Sequence, residues 1–474
     1  MAVREPWAAV RVPSPRSIGA SAETRAGWPA TRCAASPGAA ARRHLNQSVD
    51  LPQRLGLHPS RRTWARSQLR GLRLAIMNQT VVLHTDELRG DWDTLVSTGS
   101  GLVNALVNAS QGEIIQCASK SITISNWLDL DVDDVVVRGV DGQTTITVAD
   151  GANVGGFRIG SNSATTGVTV KDFHFDGNYD GQDQTVKRLH AYITEDCDDI
   201  EFVRCSATRT SPYQEHNSGG SGFAARSLST NIRYVDCSTD DIGDRAWQLA
   251  GSGHELIRPK TRDGYDRSVS LDIQLPDGSW DGADDVTITD ADLGGMADGS
   301  AIKTVQYGAS NIRIVDPHIH GGIKGGIEAH NSNCSDWTII APEIDKQTAT
   351  GADSALYLCE DAIVIGGDIK QTSTSGGWGI VIDVQGPNVE ISDLDVNIES
   401  GGGTNQLTRV EGNHFSWRGE ILNADHITVA LTLQHRIACH RIRLIPSTWR
   451  LYSFQFACNP MNFVSHGFCS RAKP

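Results

Sequence analysis

The chain has 474 residues and carries 48 Gly with only 39% hydrophobic residues, a balance that favours short strands and turns over amphipathic helices. Its net charge of −14 averages three unlike segments: residues 1–76 hold 13 Arg and 3 acids, 428–474 hold 5 Arg, 1 Lys and no acid, and 77–427 keep 23 bases against 53 acids, a net of 23 − 53 = −30. A central segment that acidic argues against a nucleic-acid partner, which needs a basic footprint, and no apolar run reaches the roughly 20 residues of a membrane span.

Residues 1–76 are rich in Arg, Ala and Pro without hydrophobic periodicity, and are expected to be a disordered or mispredicted extension. Met77 then opens a stretch of different character and is a candidate true start. The N-terminus has no apolar core of a secretory signal. Residues 77–130 are expected to form a cap, with a short helix near Gly101–Asn108 closing an otherwise open strand edge. The segment from Thr428 is again foreign in composition, with three Cys and four Phe in 47 residues.

Between these ends, over 131–427, an internal repeat dominates. Its unit opens with Asp or Asn and continues apolar, x, apolar, as in Asp134-Val-Val-Val, Asn231-Ile-Arg-Tyr, Asn311-Ile-Arg-Ile and Asn388-Val-Glu-Ile. The first apolar residues, Val135, Val168, Ile200, Ile232, Leu256, Val286, Ile312, Trp337, Ala362, Val389 and Phe415, are spaced 33, 32, 32, 24, 30, 26, 25, 25, 27 and 26 residues apart. A second short strand precedes most anchors, for example Ala246-Trp-Gln-Leu and Gly326-Ile-Glu-Ala-His. Alternation of period two puts one face in and one face out. A single unit cannot bury its inner face, but stacked units can. The prediction is an all-β, right-handed parallel β-helix of about eleven coils. Ten Cys without a CxxC pair indicate neither a zinc ribbon nor a redox motif, and Cys205 and Cys237, in equivalent repeat positions, are expected to stack as buried thiols.

The repeats, cap and Gly/Asp turns resemble the pectate-lyase-like superfamily over about residues 100–427, which implies an extracellular or virion-associated polysaccharide-active protein, either a lyase or hydrolase, or a tailspike-like or adhesin-like binder. The known polygalacturonase motifs are largely broken: Ala301-Ile-Lys-Thr304 keeps Lys303, and Gly243-Asp244 keeps one Asp, but its second acid is replaced by Arg245 and no His stands near Arg267-Ser-Val. Asp316-Pro-His318 is similar to the end of an alginate-epimerase motif, yet it shares its repeat slot with Ala341-Pro-Glu and Arg258-Pro-Lys and reads as a turn. Asp176-Gly-Asn178-Tyr-Asp180-Gly spells half of a calcium loop, making Asp176, Asn178 and Asp180 candidate Ca2+ ligands against a plain Asx turn.

Strand register predicts Phe157, Trp247, Ile302, Ile327 and Leu356 inside, with Tyr192, Gln248, Asp272, Lys303, Glu328, His330 and Tyr357 on an outer flank. Coils stack about 4.8 Å apart. Asp272 and Glu328, two coils apart around Lys303, would then stand near the roughly 6.5–9.5 Å that separates acid and base in inverting glycosidases. Asp272, Lys303, Glu328 and Asp244 are therefore the catalytic candidates. Longer coils place extra residues at 177–190, 208–221 and 262–283, where Tyr179, Arg188, His190, Tyr213, His216, Tyr265, Arg267 and Trp280 could contact sugars; Tyr213, Arg267 and Trp280 are the strongest of these. A tailspike would be a homotrimer. The surplus of acids also resembles the surface of a protein from a salt-loving microbe, since about 1 M salt screens charges beyond roughly 3 Å.

Overall fold

The computed structural model describes residues 91–140, 144–183, 186, 189–210, 219–226, 228–264, 266–274, 280–295, 299–304, 307–320, 325–330, 333–346, 354–373 and 378–400, together with later strands between 404 and 457. The chain divides into two units, Met1–Asp86 and Glu87–Pro474, and every described residue belongs to the second.

Each coil supplies two strands to a wide sheet and one to a narrow sheet. One coil runs Ser310–Val315, His318–His320 and Gly325–Glu328; the next runs Ser335–Ile340, Glu343–Lys346 and Leu356–Leu358. Each of these strands pairs in parallel with its counterpart one coil on. The wide sheet has 27 strands and the narrow one 13. The fold is a parallel β-helix. One pairing departs from it: Asp272–Gln274 runs antiparallel to the start of Trp280–Thr289, so the long 262–283 segment contains a hairpin leaving the narrow sheet.

The regular spacing has a backbone cause. Asp134, Asp199, Asn231, Asp285, Asn311, Asp336, Asp361 and Asn388 all adopt φ between 54° and 59°. A left-handed residue directly precedes the inward anchor on each of these coils, and Asp and Asn tolerate that conformation best after Gly, which takes the slot at Gly167 and Gly253. Their side chains then bond between coils: Asn311 Nδ2 donates to Asp285 Oδ1 at 2.8 Å and Asn388 Nδ2 to Asp361 Oδ1 at 2.9 Å. A second left-handed row, Asp172, Arg204, Asp236, Arg258, Asp290, Asp316 and Ala341, makes the bend between the two wide-sheet strands. There Arg204 forks onto Asp172 and Arg258 onto Asp236, with bonds of 2.6–2.8 Å. Asp316-Pro-His318 is thus a bend.

Inside, nine of the ten described anchors fall on one column, with Ile200 opposite Ile232, Val286 opposite Ile312, and Ile312 opposite Trp337, while Phe415 lies outside the described residues. The exception is Leu256, which pairs with Tyr234 one step along. The column position between Ile232 and Val286 belongs to His254, which is fully buried. Its Nδ1 accepts the Ile232 N–H at 3.3 Å and its Nε2 lies 2.8 Å from the Ala250 carbonyl, so a neutral ring satisfies both. Burial pushes its pKa down to about 4, against the smaller upward pull of the Ala250 bond.

Tyr192 also departs from expectation. It pairs with Phe157 and Phe223, both interior positions, and so faces inward. Phe157, Tyr192, Phe223 and Trp247 stack at centroid separations of 5.8, 4.8 and 5.4 Å, with planes within 9° of parallel. The Tyr192 hydroxyl is satisfied by the carbonyls of Phe173 and Ser206. Such pairs add about 0.5–1.5 kcal/mol each beyond area burial. Cys205 and Cys237 are free buried thiols, as their shared slot implies.

At the N-terminal end a helix spans Gly99–Val107, buries Leu102 and Leu106 in the core, and is capped by Thr98, whose side chain accepts the Gly101 N–H at 3.1 Å. Gly99 is required there, because a Cβ would stand 1.8 Å from the Thr123 carbonyl oxygen.

Candidate functional site

The outward column of the narrow sheet reads, coil by coil, Asp129, Arg158, Ile193, Ala224, Gln248, Ser270, Lys303, Glu328, Tyr357 and Asp383. Gln248, Lys303, Glu328 and Tyr357 stand where their register places them. Asp272 does not share the column. Ser270 holds that position, and Asp272 lies two residues further along, at the root of the hairpin. Acid and base candidates therefore do not face each other across Lys303 alone.

Outward does not mean solvated on this face. Gln248, Asp244, Asp272 and Glu328 are all buried. Lys303 Nζ meets Glu328 Oε2 at 2.7 Å, and the Ser354 N–H donates to Oε1 at 3.2 Å. Gly325 is forced by this arrangement, since a Cβ there would come within 2.3 Å of Glu328 Oε1. His330 is exposed, and its ring packs against Tyr357 with centroids 4.9 Å apart.

One and two coils before Lys303 lies a denser cluster. Asp244-Arg245 and Asp266-Arg267 are the same dipeptide in the same slot of successive coils, 22 residues apart, a signal present in the sequence that the motif reading passed over. Asp266 Oδ2 bridges both guanidinium groups, at 3.1 Å from Arg245 Nε and 2.6 Å from Arg267 Nη1. Gln248 Nε2 donates to Asp244 Oδ2 at 3.2 Å, and the Ser270 hydroxyl donates to Asp272 Oδ1 at 2.8 Å. The two cations differ. Burial opposes the charge of Arg245, but Asp244 and Asp266 outweigh it and raise its pKa. Burial, reinforced by neighbouring Arg245, prevails at Arg267 and lowers its pKa in spite of Asp266. Arg267 Nε is a buried donor with no acceptor among the described residues. Buried ion networks add little net stability, so a cluster of this density marks a candidate site.

Two of the three calcium candidates are otherwise engaged, while Asp180 is exposed. Arg209 forks onto both Asp176 oxygens, one at 2.8 Å and the other closer, and the Asn178 amide donates to Asp150 Oδ1 and the Val148 carbonyl. Asn178 adopts φ 48° before a short helical turn at Tyr179–Gly181. Asp176 and Asn178 thus build an inter-coil turn, with Asp176 neutralised by Arg209 and unsuited to a cation. Tyr213, along with Arg188, His216 and Tyr265, lies outside the described residues, as does the side chain of Trp280; His190 is buried, its Nδ1 accepting the Ser221 N–H.

No protein-family model matches the chain, and no curated protein matches it in sequence. Among solved structures, the catalytic domain of a GH87 alpha-1,3-glucanase in complex with nigerose is similar at 12% identity and a TM-score of 0.42, covering 76% of this chain and 69% of that one. The periplasmic alginate epimerase AlgG is similar at 9% and 0.43, over 75% and 84%. PfbA, a surface adhesin of Streptococcus pneumoniae, is similar at 14% and 0.39, over 73% and 87%. At this distance the chemistry has to be argued from the chain's own residues. No described helix is long and apolar enough to cross a membrane.

Proposed function

We propose that the outer face of the narrow sheet, from the Asp-Arg repeat to Tyr357, recognises an extracellular polysaccharide. The observation that carries this reading is the concentration of ionic groups on consecutive coils of one face, from the Asp-Arg repeat to the Lys303–Glu328 pair. Alternating forked donors and carboxylate acceptors match the paired hydroxyls of a sugar, and Lys303 adds a partly exposed cation to the same face. Tyr357 with His330 supplies a ring face for stacking.

Each carboxylate of the cluster is held by a cation, an amide or a hydroxyl. That favours a rigid recognition surface, in the manner of a tailspike or adhesin. Cleavage is the finer alternative: Glu328 or Asp272 would act as acid or base once released from Lys303 or Ser270.

The test is titration of the full chain with a panel of acidic and neutral polysaccharides, following binding calorimetrically and, in parallel, unsaturated product and reducing ends. Binding by the wild type, weakened about tenfold or more by Lys303→Ala and by Tyr357→Ala, is expected, since central contacts of this kind are typically worth more than 1 kcal/mol. Absence of binding to every polysaccharide, or equal binding by both variants, overturns the proposal. Product formation abolished by Glu328→Gln would move the reading from binder to enzyme, and solution mass distinguishes a trimeric rod from a monomer.

A further inference from the structure

A second constellation lies on the outer face of the wide sheet, apart from the narrow-sheet residues. Asp292 pairs with His318, and Gly294 with His320, on adjacent strands Asp292–Gly294 and His318–His320. Residues two apart on a strand share a face, so all three polar side chains project to the same side. Gly294 makes their convergence feasible. A Cβ there would stand 2.7 Å from His320 Cε1, so any larger residue would push the ring away.

His320 Nε2 lies 2.8 Å and His318 Nδ1 3.5 Å from the same oxygen, Asp292 Oδ1. One ligand atom from each of the three residues falls within 4.8 Å of the others. Tetrahedral zinc with bonds of about 2.0–2.1 Å separates its ligand atoms by about 3.3 Å. The three atoms are therefore already spaced for one ion, apart from a modest opening of the His320–Asp292 bond. Glu343 flanks His318 on the following coil. His318 and Glu343 line a trough of about 320 Å³ together with Asp345, Asp368, Lys370 and Asp395. His318, His320 and Asp292 are 54%, 40% and 44% exposed, so an ion can reach them from solvent.

We infer that Asp292, His318 and His320 form a binding site for a divalent transition-metal ion of the zinc type. Two imidazoles and one carboxylate select borderline ions such as Zn2+, Co2+ or Ni2+ over Ca2+ and Mg2+, which require all-oxygen shells. The fourth position falls to water. The bound ion would cross-link two coils of the ladder, which stabilises the folded state by linkage.

The experiment titrates Co2+ into the metal-stripped full chain near neutral pH, following the visible absorption of a four- or five-coordinate complex, then displaces it with Zn2+. The expected result is one Co2+ equivalent displaced by Zn2+ and a rise in thermal midpoint. His318→Ala and His320→Ala should each weaken binding by at least the roughly 10–100-fold that loss of an outer-shell partner alone causes. His330→Ala, an exposed histidine on the other sheet, should leave it unchanged. Outward positions tolerate these substitutions, and circular dichroism confirms that each variant folds. Lack of the absorption at millimolar Co2+, or equal affinity in His318→Ala, His320→Ala and wild type, overturns the inference.

Discussion

His254 offers a quantitative handle on the interior. Its folded pKa is about 4 because burial disfavours the imidazolium, whereas an unfolded histidine titrates near 6.5. Between these values the unfolded chain binds the extra proton. The contribution is thus fully present above about pH 6.5 and is lost as pH falls towards 4. At about 1.36 kcal/mol per pH unit, linkage gives a loss of roughly 2.5 kcal/mol between pH 7.5 and 4.5 from this one group. His254→Leu removes the titration and fits the apolar column between Ile232 and Val286, while leaving the Ile232 N–H and the Ala250 carbonyl without their side-chain partners. The variant should therefore be less stable at pH 7.5, by about 1–3 kcal/mol, and close that gap at pH 4.5. Urea unfolding of both proteins at the two pH values, followed by far-ultraviolet circular dichroism, measures this. Titration of all other groups cancels in the difference between the two proteins. If the gap between wild type and variant is the same at both pH values, the buried neutral histidine is wrong.

Two further outcomes test the packing. Trp247→Ala removes the end of the four-ring stack and should cost about 3–5 kcal/mol, whereas Trp247→Phe, which also deletes a buried indole N–H lacking an acceptor among the described residues, should cost far less; similar urea midpoints for the two variants contradict this. At the left-handed row, Asn311→Ala should lower stability by about 1–2 kcal/mol and Asn311→Gly by less, because glycine relieves the positive φ and loses only the bond to Asp285; thermal melts giving the reverse order would refute the backbone account.

The proposed polysaccharide and metal sites stand on different sheets and can be tested separately. One lies on the outer face of the narrow sheet, the other on that of the wide sheet. Loss of Co2+ binding in His320→Ala with glycan binding intact, or the converse in Lys303→Ala, would show that they can be separated.

What the sequence determined by itself was the ladder. A parallel coil must repeat its apolar residues at each turn, and each bend needs a left-handed residue, so both periods are written directly in the chain as Asp or Asn followed by alternating apolar residues. The Asp-Arg repeat at 244 and 266 was equally visible, as identical dipeptides one coil apart. Register within a coil was decided by tertiary structure. Leu256 and His254 both fit the spacing, and only the pairing of Glu255 with Arg233 and Thr287 settles that the histidine faces inward with Ile232. Tyr192 was assigned to the wrong face for the same reason, since a shift of one residue reverses every side chain. Burial of Asp244, Asp272 and Glu328 was likewise beyond the sequence: whether an outward carboxylate meets water or a cation depends on how adjacent coils pack around it, as Lys303 and Ser354 do around Glu328, which spacing alone does not rank. The same holds for Asp292, His318 and His320, brought to one point by a glycine on the adjacent coil.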